Sequence, residues 1–599
     1  MTPRQPYPIQ HWKNGSTESL VTAPMASARV QQRNGQPVND PFTRRGASDF
    51  RRTGMAPREV KVDERLPLGS FYLGRKRSSF VVWSPWSDAV DLRIRAPRTR
   101  TVRLQREANG YHHGVVDGVE PGALYVYRLD GLIERPDPSS QCQPRGPRGP
   151  SRLTDPRFPW RDRQWRGLPL SEYIIHESSD RTVAFDVLIP ELGPIRDLGA
   201  TALCVRLDAA RPSGLPCCVP ASRGGHAGLK RLTDACHRRG LAVLLGTSLF
   251  EPGIEGDPFA CYGPYFTDPD RHINIDGARS DGVRRYFLEG ALRWFREFHI
   301  DTLDVGHIDH LVDRSPTPLL EELTRMTRDE STRIGRPLHL VAQSRRNDPR
   351  LIRRREDGGI GLDALWNPDF HDALQGVLTQ GLMTPPPEFG NVGHFKKALL
   401  EGFVCSGDFS PSRQRRHGRS SRDLPGERFL VSFPLPSGRV PRTGLALEEQ
   451  KLAVATLLLS PFVPLLCFEG PRAACPGGAG QGIGPFHSEL TRLRKELRSA
   501  GLLDKQCMGI LGYEEETFLL ARYWKEDEDL IVLFNAGRER TVVAVPIPAG
   551  PWLLRFNSAD TRWNGPGSRL PDMMHGRDAD IPLEFTARSC AVYTRHKAM

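Results

Sequence analysis

Three polar residues in one short segment, His307, Asp309 and His310, are of the types that bind metal ions. Their spacing is loose, and polar side chains are common in the loops that follow buried strands, so we interpret them as loop residues. A glycine-rich stretch at 477–482 resembles a phosphate-binding loop in composition, but no Lys-Ser or Lys-Thr pair follows it. We therefore expect neither a metal nor a cofactor.

The charged residues and the cysteines exclude few functions by themselves. The net charge of +12 allows an anionic partner. Arginine clusters at 44–58, 345–355 and 413–422 carry no interleaved aromatic residues and no nucleic-acid motif, so we expect solvated loops and no specific nucleic-acid partner. The eleven cysteines form no Cys-x-x-Cys pair, and no apolar segment opens the chain, which favours a reducing cytoplasm.

Length and composition are those of a globular chain of several domains. The 599 residues are 38% hydrophobic, which excludes disorder or collagen as an account of the whole chain. The longest apolar run, 452–468, contains Pro461 and Pro464 and is shorter than the roughly 18–20 residues of a membrane span. No membrane partner is expected.

The chain divides into five segments by composition and periodicity. Residues 1–65 are polar and basic and are predicted to be a disordered tail, and residues 66–135 contain short strands typical of a β-sandwich. A linker at 136–172 follows. Residues 173–500 alternate apolar strands with amphipathic helices, which predicts a (β/α)₈ TIM barrel, and residues 501–599 return to the strands of a C-terminal β-sandwich. The predicted barrel strands include 203–205, 241–245, 300–305, 338–342, 362–365, 429–432 and 463–468.

Several stretches of the sequence resemble those of a known protein family in residue type and order. They are 122–131, 135–138, 149–151, 262–268, 361–371, 424–429 and 560–563. On these strings the chain, from about residue 66 to its end, resembles the maltooligosyltrehalose trehalohydrolases, a family of the α-amylase superfamily (glycoside hydrolase family 13). The first of the β-sandwiches lies where that family carries a glycogen-binding-like module.

The resemblance fails at the positions where the family carries its catalytic carboxylates. A retaining glycosidase needs a carboxylate nucleophile and a protonatable carboxyl about 5–5.5 Å apart. Here the matching flanks place Gly306 at the nucleophile, Gln343 at the general acid and Pro434 at the third carboxylate, so no catalytic residue is intact. Asp304 stands at the position of the family's arginine. The third-strand motif is also lost, with Glu251 among its replacements.

Two interpretations of this loss remain open. A relocated pair of carboxylates, Asp304 and Glu251, would preserve catalysis at the barrel mouth. The direct interpretation is a trehalohydrolase-like pseudoenzyme, since removing one member of a catalytic set already costs several powers of ten in rate.

Four further residues are candidates for binding sugar. Trp366, Asn367 and Asp369 would lie in a remnant of the substrate cleft, where a structural role for Trp366 is an equal alternative. Trp86 follows a proline in the first β-sandwich and is predicted to be exposed, whereas its neighbour Trp83 is predicted to be core.

Three functions follow, from different classes. The leading hypothesis is a pseudoenzyme that binds an α-glucan, a maltooligosaccharide or a protein partner in glycogen or trehalose metabolism. The resemblance alone implies instead an active glycosidase that releases trehalose from maltooligosyltrehalose. A polyanion-binding protein that uses the basic tail and loops is the weakest of the three.

Overall fold

The computed structural model describes residues 67–596 except 147, 179–181, 208–217, 248, 251–258, 268–271, 380–386, 434–446, 469–482 and 527. The predicted N-terminal tail therefore lies outside the described residues. Within the described part, no helix is long and apolar enough to cross a membrane.

Two antiparallel sheets form the N-terminal part of the described chain. The first has the order Gly69–Gly74, Arg77–Trp83, Tyr111–Asp117 and Gln105–Arg106. The second has the order Arg100–Arg103, Val90–Ala96, Leu124–Leu129 and Ile133–Arg135, and Ser151–Arg152 also pairs with Leu124–Leu129. That last strand comes from the segment predicted to be a linker. Phe80, Leu92, Tyr125 and Tyr127 are fully buried in this part of the core.

Eight parallel strands close into the central barrel, as the sequence predicts. They are β1 (Ile175–Ser178), β2 (Ala202–Arg206), β3 (Ala242–Gly246), β4 (Thr302–His307), β5 (His339–Gln343), β6 (Ala364–Trp366), β7 (Phe429–Phe433) and β8 (Val463–Phe468). Such strands are covered on both faces, which explains why they read as continuous apolar runs. Small and branched side chains, among them Ala202, Ala242, Leu244 and Val341, fill the interior.

Helices surround the barrel between the strands. The α-helices are Phe185–Leu188, Leu192–Asp197, Gly225–His237, Ser280–Phe298, Leu319–Ile334, Pro368–Thr379, Val392–Glu401, Leu447–Leu459 and Ile483–Ser499. In Ser280–Phe298 the residues Val283, Phe287, Ala291 and Trp294 are buried at helical spacing, so one apolar stripe faces the barrel.

The C-terminal part contains a six-stranded sheet and a two-stranded sheet. The larger has the order Met508–Tyr513, Phe518–Lys525, Glu528–Asn535, Ser589–His596, Gly550–Asn557 and Met573–Gly576, and the smaller pairs Thr541–Ile547 with Ala579–Phe585. One apolar cluster includes residues of both sheets, among them Ile531 and Val545. The predicted fold class, a TIM barrel with β-sheets on either side, is therefore confirmed.

A close contact joins the N-terminal sheets to the barrel. Trp83 is buried, as predicted, and its indole N–H donates to the carbonyl of Asn109 over 2.9 Å. A Cβ at Gly282, in the first turn of the helix Ser280–Phe298, would lie 2.1 Å from the Trp83 ring. The glycine thus allows the helix and the indole to touch.

A buried charged network ties the segment before β1 to the amino end of the barrel. His237 lies between two carboxylates, with Nδ1 2.9 Å from Asp162 Oδ2 and Nε2 2.9 Å from Asp301 Oδ2. The Trp165 indole N–H donates to Asp301 over 2.7 Å, and Arg336 pairs with the same carboxylate. Burial lowers the pKa of His237, but Asp301 and Asp162 raise it more, so the net shift is upward.

Candidate functional site at the barrel mouth

The carboxyl ends of the barrel strands bring a small set of polar side chains together. Arg206 ends β2 and Gln343 ends β5, while Glu177 and Asp304 lie near the ends of β1 and β4. Trp366 ends β6. Because parallel strands point the same way, these residues meet at one face of the barrel, which is where barrel enzymes carry their active sites.

Asp304 is the centre of this set. Its Oδ2 accepts hydrogen bonds from Trp366 Nε1 at 2.7 Å, Arg206 Nη1 at 3.2 Å and Gln343 Nε2 at 3.4 Å. Its Oδ1 accepts the backbone N–H of Gly306 at 3.1 Å, and the residue is only 1% exposed. Burial raises the pKa of the Asp304 carboxyl, and the opposing effect of Arg206 and the hydrogen bonds does not cancel it.

Arg206 joins Asp304 to a second buried carboxylate. Its Nε lies 2.8 Å from Glu177 Oε1, and its guanidinium lies 5.2 Å from the centre of the Trp366 ring. A Cβ at Gly246 would come within 3.1 Å of the Arg206 side chain, so the glycine leaves room for it. Sequence analysis did not identify Glu177 or Arg206. The signal available was a charged residue near or at the end of an otherwise apolar strand.

The backbone at Gly306 departs from regular strand geometry. Asp304 is opposite Val341 and His307 is opposite Gln343, so β4 has one more residue than β5 between these pairs, which is a β-bulge. Gly306 lies in this bulge with φ +80°, a left-handed conformation that strains any residue with a side chain. The position predicted to match the family's nucleophile therefore holds a glycine in a left-handed backbone conformation.

Of the other two predicted replacements, the structure describes Gln343 but not Pro434. Gln343 is half-buried, and its amide donates to Asp304, as above. Pro434 and Glu251 lie outside the described residues, so the relocated pair of Asp304 and Glu251 stays a prediction.

Of the four candidate sugar-binding residues, three have protein partners. Trp366 is 8% exposed and donates to Asp304. The Asn367 amide donates to the carbonyl of Gly402 at 2.5 Å, and its Oδ1 accepts the N–H of Phe370 at 3.2 Å. These contacts hold the start of the helix after β6.

Asp369 is likewise occupied by the protein. Its Oδ2 accepts Asn347 Nδ2 at 2.8 Å and the backbone N–H groups of Val404 and Cys405 at 2.9 and 3.1 Å. Trp86, by contrast, is 57% exposed, as predicted.

The segment after β4 includes Asp309, whose carboxylate is hydrogen-bonded to protein groups. The Asp309 carboxylate accepts the Ser344 hydroxyl at 2.7 Å and the N–H of Arg345 at 2.8 Å, which fixes the neighbouring loop. Among the described residues, no group of three or more His, Cys, Asp or Glu side chains could hold a metal ion.

A second titratable pair lies near the start of the helix after β6 and was not singled out from the sequence. Burial raises the pKa of Asp372 and lowers the pKa of its neighbour His371. Asp372 lies 3.7 Å from Arg345 Nη1, and the His371 ring centre lies 5.3 Å from that of Phe433, the last residue of β7. The only sequence signal was the family string that ends at His371.

Two of the carboxylates described at this end of the barrel, Asp304 and Glu177, form one buried cluster with Arg206. Asp304 and Glu177 are both buried and share one guanidinium, whereas a retaining mechanism needs one carboxyl to attack and one to donate a proton. In this arrangement one guanidinium offsets part of the charge of two buried carboxylates.

Comparison with solved structures shows the same barrel fold. A provisionally assigned alpha amylase from Salmonella typhimurium matches with a TM-score of 0.74 and 24% identity, over 88% of this chain and 99% of that one. A pullulanase from Anoxybacillus sp. LM18-11, solved with maltotetraose, matches with a TM-score of 0.61 and 14% identity, over 88% of this chain and 87% of that one. These two matches show that the chain has the fold of both structures.

Comparison with curated proteins gives a narrower group. The malto-oligosyltrehalose trehalohydrolase of Saccharolobus solfataricus strain P2 is 30% identical over 412 residues, 65% of this chain and 72% of that protein. That of Arthrobacter ramosus is 33% identical over 416 residues, with the same two coverages. No protein-family profile matches the sequence. The chain belongs to the malto-oligosyltrehalose trehalohydrolase family.

Proposed function

We propose that this chain is a catalytically silent member of its family that binds α-glucan without hydrolysing it. The observation that carries the proposal is Gly306, a residue without a side chain in a left-handed bulge, whose N–H is bonded to Asp304. Nucleophilic attack on an anomeric carbon needs a carboxylate that is free to approach the sugar. No such group stands at this position.

The general-acid position supports the same proposal. Gln343 carries an amide, which hydrogen-bonds but does not supply a proton to a leaving oxygen, and that transfer contributes typically 10²–10⁴-fold in rate. Loss of both functions together leaves only binding, which does not replace them.

An assay of the purified chain tests the catalytic half of the proposal. Maltooligosyltrehalose should release no trehalose, and starch should yield no new reducing ends. The competing function, an active glycosidase with a relocated site, is favoured by one observation, the raised pKa of Asp304, which is a property of general acids. Turnover that is lost in Asp304→Asn would establish that function and overturn ours.

Trp86 supports the binding half, because an exposed indole is a surface on which a sugar ring can stack. Calorimetric titration with maltoheptaose should detect weak binding, near the millimolar Kd that corresponds to about −4 kcal/mol. Trp86→Ala should weaken it several-fold.

The matched control for this titration is Trp524→Ala, which removes another exposed tryptophan, 39% exposed, from the C-terminal sheet. If the two variants lost the same affinity for maltoheptaose, or if the parent chain did not bind it, the proposal that the chain binds glucan would be wrong. A role with a protein partner would then be the better account of a silent barrel.

A further inference from the structure

A groove on the N-terminal five-stranded sheet collects positive charge. Four guanidinium groups line it, those of Arg95, Arg135, Arg145 and Arg148, and Glu134 is the one carboxylate among the lining residues. Its cavity volume is about 400 Å³, which lies within the range of small-ligand sites.

The single carboxylate of the groove is already engaged. Glu134 Oε1 lies 2.6 Å from Arg93 Nη1, and its other oxygen pairs with Arg95. Arg135 donates to the carbonyl oxygen of Glu134 at 3.0 Å, so it gains no neutralising partner from that contact. The groove therefore keeps a surplus of positive charge.

Arg145 and Arg148 come from a repeated Arg-Gly-Pro sequence at 145–150. The N–H of Gly146 bonds to the carbonyl of Gln143 at 3.2 Å, and that of Gly149 bonds to Gly146 at 3.0 Å. Both arginine side chains are exposed. Within the described part of the chain, neither forms a side-chain hydrogen bond or an ion pair.

The floor of the groove differs from its rim. Ala96, Leu124, Val126 and two prolines supply apolar surface between the arginines. An apolar floor suits a ring or other carbon skeleton, and planar guanidinium groups suit the oxygens of a phosphate, which they bind with paired hydrogen bonds.

From this arrangement we propose that the groove binds a small organic phosphate, with the phosphate on Arg145 and Arg148 and the carbon skeleton on the floor. The site is independent of the barrel mouth and of the glucan-binding proposal. The lining includes no aromatic side chain for base stacking, which argues against a single-stranded nucleic acid.

Calorimetry on the full chain at low salt tests this site with inorganic phosphate, a hexose phosphate, ADP and unphosphorylated glucose. At least one organic phosphate should bind more tightly than inorganic phosphate, and glucose should not bind here. A preference for the hexose phosphate or for ADP identifies the source of the phosphate. The double variant Arg145→Gln with Arg148→Gln should weaken binding at least ten-fold, and added salt should weaken it in the parent.

The control is the double variant Arg75→Gln with Arg98→Gln. It also removes two positive charges, from exposed arginines of the same region that do not line the groove. It should change the Kd by less than three-fold, and both double variants should melt within a few degrees of the parent. Three results would each overturn the proposal: no binding of any phosphate, equal losses in both double variants, or equal affinity for inorganic and organic phosphate.

Discussion

Replacing Arg206 by methionine should destabilise the barrel strongly. Methionine keeps an unbranched apolar stem of similar length, but it removes the cation that lies 2.8 Å from Glu177 and 3.2 Å from Asp304. All three side chains are less than a tenth exposed, so water would not compensate. Breaking a buried ion pair by removing one partner costs about 3–5 kcal/mol. At about 2 °C per kcal/mol for a large domain, the melting temperature should fall by about 6–10 °C at neutral pH.

The loss should depend on pH in a definite direction. Burial already raises the pKa of Asp304 in the folded chain, and removal of Arg206 takes away its main opposing charge, so the pKa should rise further. A carboxyl whose folded pKa lies above its unfolded value gains stability as pH falls through the folded pKa. The Arg206→Met variant should therefore recover part of its deficit between pH 7 and pH 5.

The measurement is the melting temperature at both pH values for the parent, Arg206→Met and a control. Arg231→Met is matched to it, because Arg231 forms a 2.7 Å ion pair with Asp186, but both of those side chains are about half exposed. An exposed pair contributes about 0–1 kcal/mol, so this control should melt close to the parent. If Arg206→Met melted like the control, or if its deficit were the same at pH 5 and pH 7, the buried-pair account of the mouth would be wrong.

Three further outcomes follow from the geometry. The triple variant Gly306→Asp, Gln343→Glu, Pro434→Asp should show little trehalose release, and substantial turnover would contradict this. It should also lose about 1–3 kcal/mol of stability because residue 306 has a left-handed backbone conformation. Gly306→Ala should show most of the same loss of stability. Because the pKa of His237 is raised in the folded chain, protonated His237 should stabilise the fold below about pH 6.5, and this contribution should be lost as pH rises through the folded pKa. A melting temperature that does not change from pH 6 to pH 9 would refute the role of the buried charged network around His237. Gly282→Ala should cost about 1–3 kcal/mol because its Cβ would overlap the buried indole packed there, and an unchanged melting temperature would show that this contact is loose.

Most of the fold was predictable because most barrel strands lie in local apolar runs; β1 (Ile175–Ser178) does not, and it was not predicted. The predicted strands at 300–305, 338–342 and 362–365 begin one or two residues before β4, β5 and β6, since burial begins before strand pairing does. The two-residue strand Ser151–Arg152 was not predicted. It is too short to show periodicity, and its partner Leu124–Leu129 lies well before it in the chain.

The candidate site was predictable only in part. Matching flanks located positions 304, 306 and 343, but they did not indicate what replaces the lost chemistry. The partner of Asp304 is Arg206, 98 residues earlier, and a contact at such a separation leaves no local pattern. The bulge at Gly306 is equally hidden, since glycine in a strand has several explanations until its φ is known.

The mouth of the barrel is a compensated arrangement rather than a damaged one. A buried aspartate at position 304 would, alone, leave a charge without a partner. Here Arg206 supplies the opposite charge from β2, Gly246 leaves space for it, and the N–H of Gly306 completes the carboxylate's hydrogen bonds. Active sites often keep groups unsatisfied until substrate binds, at a cost in stability. Asp304 instead takes its hydrogen bonds from four groups of the protein itself, so we expect this end of the barrel not to depend on a bound maltooligosaccharide for its stability.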